Sequence, residues 1–396
     1  MQDKFISHFT NKNLDIRLSH DARFIDQKVT PDVLSINADI VLAYISGRND
    51  DNVEFTANDI WKSDYANENI KDVFRKPDLN DKKAISEYNK FFQQSLKALS
   101  YAGILSCDKR SNKNYFKIVE KELLEVISLK ERYALIFLQI YLEKVMKDSG
   151  LWSSFEIFFD RQDIHSFVAL KNTFEEFIRA NTPIKKVFEP RRIFTKIINP
   201  LAFKNNLKGT KRGFLSKQQI SYDELMYNRR NWRDFDKKST ESRQEYEERA
   251  KSQVIAYTRY TVSKAKKLIR EKYRPDSEVQ EEGSYGIEAN EVHHIFMESE
   301  FPSIASYTEN LILITSNQHR IKAHPHSNFS IVDKDFQLIC LLAKSEAIEA
   351  SLNGSESIYS KEDYCVVLNT GLEEQFQVAF EFDHIRTRLV DIYHRM

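Results

Sequence analysis

A mostly helical α+β fold is expected from three features of the sequence. Long stretches carry apolar residues at helical spacing, beginning with TPDVLSINADIVLAYISG. The N-terminal third ends in two short β-prone runs around a polar turn, ILSCDKRSNKNYFKIV. Near the C-terminal end, strand-like EVHHI and NLILIT flank a loop and lead into SNQHRIKAH. The 396 residues include only nine glycines and no low-complexity linker. Roughly two or three packed domains are therefore expected, divided as residues 1–122, 123–236 and 237–396.

In the first part, Val33, Leu34, Ile36, Ile40, Val41, Tyr44 and Ile45 mark a helix. Thr30 stands in its N-cap position, Pro31 at its first turn, and Gly47 at its end. FTANDIWKSDYANENIKDVF continues as a helix or helix pair opened by Thr56, and SEYNKFFQQSLKALSYAGIL as a further helix stopped by Gly103. The runs Ile104–Cys107 and Tyr115–Val119 then form a hairpin with a basic tip. Three helices followed by a hairpin is the order of a winged helix-turn-helix. There one helix can enter the DNA major groove while the hairpin tip reaches a neighbouring phosphate. A small helical domain with a surface hairpin, or one that contacts protein, has the same order.

Residues 121 to about 180 read as helices with an apolar face. From Lys185 to Lys217 there are ten Lys/Arg against one acid, Glu189, although the whole chain has zero formal charge. The strip includes Arg191, Arg192, Lys196, Lys211 and Arg212, interleaved with Phe188, Phe194 and Phe203. Either it is a solvated surface or it contacts phosphates. Arg229, Arg230 and Arg233 follow beside Tyr227 and Trp232 and read the same two ways. A charged helix spans about Ser239 to Lys272.

Half of the ten histidines lie at or beside one segment, Glu291–Pro325. EVHHI is expected to be a strand, NLILIT a second strand, and SNQHRIKAH a helix capped by Ser316. Strand, loop, strand and helix form the ββα-metal arrangement. A histidine at the first strand's end can take a proton from water near neutral pH. The helix brings a metal ligand back towards the strand.

These residues resemble the HNH endonuclease motif. Asn310 falls sixteen residues after His294, His319 nine after Asn310, and Lys322 three after His319. The resemblance implies His293 and His319 as metal ligands, His294 as general base, and Asn310 as the residue pinning the loop behind the base. It further implies Glu291 supporting the metal site and Lys322 touching phosphate. A bound Mg²⁺ or Mn²⁺ would stabilise the leaving 3′ oxygen, and the products would carry a 5′ phosphate and a 3′ hydroxyl. Many members hold the motif with zinc-binding CxxC pairs. Here Thr315 and Gln318 stand in those places, so hydrophobic packing is expected instead. His324 comes one residue later than a fourth-ligand position, about 100° further round an α-helix. A phosphate contact or a secondary part at the metal is the expectation for it.

The layout of reader, basic middle and cutter resembles type II restriction enzymes of the HNH class, including those that cut at a distance from an asymmetric site. That resemblance implies double-stranded DNA as partner, a homodimer on DNA or two successive nicks, and a cognate DNA methyltransferase. Homing or anti-phage nucleases of relaxed specificity share the chemistry. A DNA-binding regulator that has lost activity is the reading from another class. The three scattered cysteines form no CxxC, there is no apolar run of membrane length and no apolar leader, so a cytoplasmic setting is expected.

Overall fold

The computed structural model of the protein describes residues 2–48, 52–74, 84–227, 243–281, 286–324, 332–354 and 357–395. It is 64% helical and 9% strand, with small antiparallel sheets, so the mostly helical α+β class holds. Two compact units, residues 1–254 and 255–396, divide the chain. No helix among the described residues is long and apolar enough to cross a membrane.

The first unit begins with α1 (Gln2–Thr10) and α2 (Ile16–Ser19) and is organised around α3 (Pro31–Ser46). Every residue of α3 from Pro31 to Ala38 is buried, the polar Asp32, Ser35 and Asn37 included; Ser35 donates to Ser128 O at 3.0 Å and Asn37 Nδ2 to Phe91 O at 3.1 Å. Thr56 and Asp59 form a capping box that opens α4 (Ala57–Trp61), and α5 (Asp64–Phe74) and α6 (Ala84–Tyr101) follow. The hairpin pairs β1 (Leu105–Arg110) with β2 (Lys113–Ile118). Its strands run further towards the tip than expected, because Ser111 and Asn112 close the turn alone with φ of 47° and 69°. Both are left-handed, as a two-residue hairpin turn requires. Phe55 exchanges backbone hydrogen bonds with Phe116 at 2.9 and 2.8 Å, an isolated antiparallel bridge beside β2.

Helices α7 (Lys121–Leu129) and α8 (Glu131–Asp148) pack on α3, joining the first expected part to the segment after it within one unit. Then come α9 (Trp152–Arg161), α10 (Ile164–Asn181) and α11 (Phe188–Lys204). A second hairpin, β3 (Lys208–Lys211) and β4 (Phe214–Gln219), and the short α12 (Tyr222–Leu225) complete the described part of this unit up to Tyr227. Neither α11 nor this hairpin was expected.

The long α13 (Arg243–Tyr273) leads into the second unit, which starts within it at Ile255. Strands β5 (Glu291–His294) and β6 (Leu311–Ile314) pair antiparallel, with His293 opposite Ile312 and His294 opposite Leu311. The outer edge of β6 is covered by the segment around Glu278, whose N–H donates to Leu313 O at 2.9 Å. Helices α14 (Lys334–Asn353), α15 (Lys361–Leu372) and α16 (Phe382–Tyr393) close a core shared with Ile269, Phe296 and the four apolar side chains of β6.

Two expectations fail in this unit. FSIVDKDFQLICLLAKSEAIEASL reads in sequence as a hairpin and a helix; residues 325–331 lie outside the described residues, and the second strand of that reading is instead the start of α14. Asp333 caps that helix by accepting the Phe336 N–H at 2.8 Å. Buried Phe336, Cys340, Leu341, Lys344 and Ile348 follow at helical spacing. FQVAFEFDHIRTRLVDIYHR reads in sequence as a strand and a helix; the helix is α16, but no strand precedes it, residues 374–381 being irregular or turn. With one edge of β6 paired to β5 and the other to Glu278, this small sheet offers β6 no further partner.

Candidate metal centre

Strand alternation puts Glu291 and His293 on one face of β5. The chain leaving β6 brings His319 and His324 to that face. Thr315 opens the turn: its hydroxyl accepts the Gln318 N–H at 3.2 Å, and the Gln318 carboxamide oxygen accepts the Thr315 N–H at 2.9 Å. This reciprocal cap makes Thr315 the N-cap in place of the expected Ser316.

The helix that follows is not an α-helix. Gln318–Ala323 is a π-helix that ends before His324, whose backbone is extended (φ −125°, ψ 91°). α-Helical spacing therefore does not set the direction of His324, and it is the third member of a cluster. The ring centroids of His293, His319 and His324 are 5.1–5.2 Å apart in all three pairs. One nitrogen from each lies within 4.8 Å of the others, so the three can hold a metal ion. His293 and His324 are buried and His319 is half-buried.

The electrostatics suit metal ligation. Burial, then the neighbouring imidazoles and Lys266, hold His293 well below the ordinary 6.5. His319 is also lowered, first by burial and then by His324, with Glu291 acting the other way. Neutral imidazoles are the form that binds metal. Glu291 lies 4.0 Å from His319 Nδ1 and is contacted by the Ser316 hydroxyl at 3.4 Å, so it flanks the cluster.

His294 has a different environment. Its Nε2 is 3.0 Å from Ala305 O. Only a protonated nitrogen can donate there, so in the neutral ring Nδ1 is left as the acceptor. Burial and then Lys266 lower its pKa, favouring that neutral ring.

Asn310 is completely buried and bonds both backbone groups of Phe296: its Oδ1 accepts the Phe296 N–H at 2.9 Å and its Nδ2 donates to Phe296 O at 3.0 Å. It thus clamps the loop two residues beyond His294 and has no access to a substrate. Gly371 lets α15 press on the same loop, since a Cβ there would lie 2.5 Å from three atoms of the Phe296 ring. Asn310→Ala should lower the unfolding free energy by about 2–4 kcal/mol, because two buried backbone groups lose their partner. Urea unfolding would measure it.

Hydrophobic packing is not the only substitute for the missing cysteines. Gln318 is a buried hub whose oxygen also accepts from the Ser277 hydroxyl at 2.8 Å and whose Nε2 donates to Val279 O at 3.0 Å. It ties the π-helix to the segment that covers β6.

Lys322 does not face the cluster openly; it pairs with Glu281 at 2.7 Å. Lys266 on α13 was missed by sequence reasoning. Its charge acts on His293, His294 and His319, and burial lowers its own pKa. The run Lys264, Lys266, Lys267 gives no sign of which lysine faces the site.

In the basic strip, Arg191 pairs with Glu175 at 3.0 Å and Lys211 with Glu224 at 2.8 Å. Arg192 and Arg212 are exposed, and Lys196 is half-buried. Arg229, Arg230, Arg233 and His326 lie outside the described residues. No family model, curated protein or solved structure matches the chain.

Proposed function

We propose that the protein is a metal-dependent double-strand DNA endonuclease of the HNH type. The observation that carries this reading is the side-by-side arrangement of three mutually facing imidazoles and a fourth histidine whose tautomer is fixed by Ala305 O. His293, His319 and His324 would hold the ion, which when bound supplies positive charge to the scissile phosphate and its leaving oxygen. His294 Nδ1 takes the proton of the attacking water. Ala305 O and the Asn310 clamp keep that nitrogen aimed. Lys266 adds a positive charge beside the site that suits a phosphodiester. Three imidazoles favour later first-row ions over Mg²⁺, which prefers oxygen ligands. Zn²⁺, Co²⁺ and Ni²⁺ therefore suit the three-imidazole set better than Mn²⁺, which binds imidazole less strongly.

The first unit supports a reader. Helices α3 to α6, the Phe55 bridge and the β1–β2 hairpin follow the winged helix-turn-helix order, with Lys109, Arg110 and Lys113 at the tip. A reader in one unit and a cutter in the other fits a restriction enzyme that cuts beside its site, with a cognate methyltransferase protecting the host and a cytoplasmic setting. One such centre cuts one strand, so a double-strand break needs a second copy or a second nick.

Digestion of a sequenced phage genome with single divalent ions tests the reading. Discrete fragments with 5′ phosphates are expected. A smear would assign relaxed specificity, and DNA bound but left intact with every ion would favour a regulator.

A further inference from the structure

The chain leaves α6 and α11 by the same path. Beyond α6, Gly103 is left-handed (φ 74°) and the Ile104 N–H donates to Leu99 O at 2.9 Å. Beyond α11, Asn206 is left-handed (φ 55°) and the Leu207 N–H donates to Ala202 O at 2.9 Å. Each exit runs directly into a hairpin. Each hairpin is closed by two left-handed residues, Ser111–Asn112 in the first and Arg212–Gly213 in the second. Each returns to its starting point, with the Val119 N–H on Ile104 O at 3.0 Å and the Ile220 N–H on Leu207 O at 3.2 Å. A short helix follows each, α7 or α12. The sequences of the two hairpins share little beyond their basic character.

Both elements carry basic residues ahead of the third helix: Lys82 and Lys83, which lie outside the described residues, precede α6 in the sequence as Lys185 and Lys186 precede α11. The exposed approach to α11 offers Lys185, Lys186, Phe188, Arg191 and Arg192, with Phe188 73% exposed. At the second tip, Arg212 and Lys211 are exposed beside Phe214, which is 75% exposed. One face of α10 joins these two groups. Lys171 donates to Gly213 O in the turn at 2.8 Å, and Glu175, one helical turn on, holds Arg191 at 3.0 Å. Side chains four apart on a helix are neighbours, so the tip and the start of α11 belong to one surface.

We propose that α9–α11 with the β3–β4 hairpin is a second duplex-DNA-binding element, structurally a repeat of the first. The proposal rests on the reading of the chain as a DNA endonuclease. Arg192 and Arg212 contact backbone phosphates, and the aromatic side chains Phe188 and Phe214 lie against sugar or base edges. Two such elements would extend the footprint on DNA without a second subunit.

The test uses the full chain with Arg192→Gln/Arg212→Asn. Asparagine tolerates the left-handed turn position, and thermal unfolding checks that the fold is kept. Binding to a fluorescent duplex in EDTA is measured over a series of salt concentrations. Loss of two phosphate contacts should reduce the log–log salt slope by about two and weaken binding at low salt by about tenfold or more. Unchanged slope and affinity would overturn the proposal, as would equal binding of duplex by wild type and variant with loss confined to RNA or to a protein partner. Hydrolysis of bis(p-nitrophenyl) phosphate, which needs the histidine centre and no reader, is followed in parallel. If it proceeds while the slope is unchanged, only the second element fails. If no ion supports it in the wild type, the nuclease reading fails.

Discussion

His294→Ala should lower the rate of DNA hydrolysis by about 10²–10⁴, the usual contribution of a positioned general base, with duplex binding and metal binding unchanged. The geometry gives this ring one task. Its Nε2–H is committed to Ala305 O at 3.0 Å, so only Nδ1 can accept a proton. Burial and Lys266 depress its pKa and keep it neutral. The methyl group of alanine leaves the Ala305 carbonyl without this donor but disturbs no part of the Asn310 clamp, which bonds Phe296. Single-turnover cleavage separates the chemical step from binding. Imidazole added to the buffer should restore part of the lost rate. Cleavage by the variant at the wild-type rate would assign the base to another group.

Lys344→Met should cost about 3–5 kcal/mol of stability, the range for a buried ion pair stripped of one partner. Lys344 and Glu278 form an ion pair with side chains 0% and 1% exposed. Lys344 also donates to the Tyr359 hydroxyl at 3.1 Å, and Glu278 accepts the Leu313 N–H at 2.7 Å, so the pair fastens α14 to the edge of β6. Burial raises the Glu278 pKa, and Lys344 is what opposes that rise most. Without Lys344 the rise is larger. A carboxyl group whose folded pKa lies above its unfolded value loses stability as pH climbs through the folded value. The deficit of Lys344→Met should therefore be largest near pH 7 and shrink as pH falls and Glu278 takes up a proton. Lys344→Met/Glu278→Gln removes the charge while keeping an acceptor for Leu313 and should recover most of the loss. Urea unfolding of the three proteins at two pH values measures all of this. A deficit independent of pH, or no recovery in the double variant, would contradict the account.

The parts of the site that were legible were those set by strand spacing and residue chemistry. His293 and His294 end β5, Asn310 immediately precedes β6, and both strands formed where the apolar and β-prone runs put them. The place of His324 was not legible because α-helical spacing was assumed up to it, whereas a π-helix ends before it and His324 leaves in extended backbone. The Thr315–Gln318 cap was within reach of the sequence, as Thr-x-x-Gln, but Ser316 was the nearer capping residue. Lys266 was out of reach, since it joins the site only through the packing of α13. The second hairpin was hidden for a local reason. KGTK and FLSKQQ alternate poorly, and β3 owes its place to Asn199, whose side chain donates to Thr210 O at 3.0 Å and accepts its N–H at 2.8 Å. Of the closing segments, α14 overrode an apparent strand because its cap and its apolar spacing agree with each other.

The centre itself can be tested with His324→Ala, since α-helical spacing gives that residue at most a secondary part and the geometry makes it a full member of the cluster. Protein stripped with EDTA is titrated with Mn²⁺, Zn²⁺, Co²⁺ or Ni²⁺ by calorimetry, and plasmid cleavage is read in the same samples. The account predicts one site in the wild type and a loss of affinity in His324→Ala greater than the roughly 10–100-fold typical of outer-shell partners, with cleavage lost in step. Wild-type affinity and cleavage in His324→Ala, or no binding of any of these ions by the wild type, would contradict it.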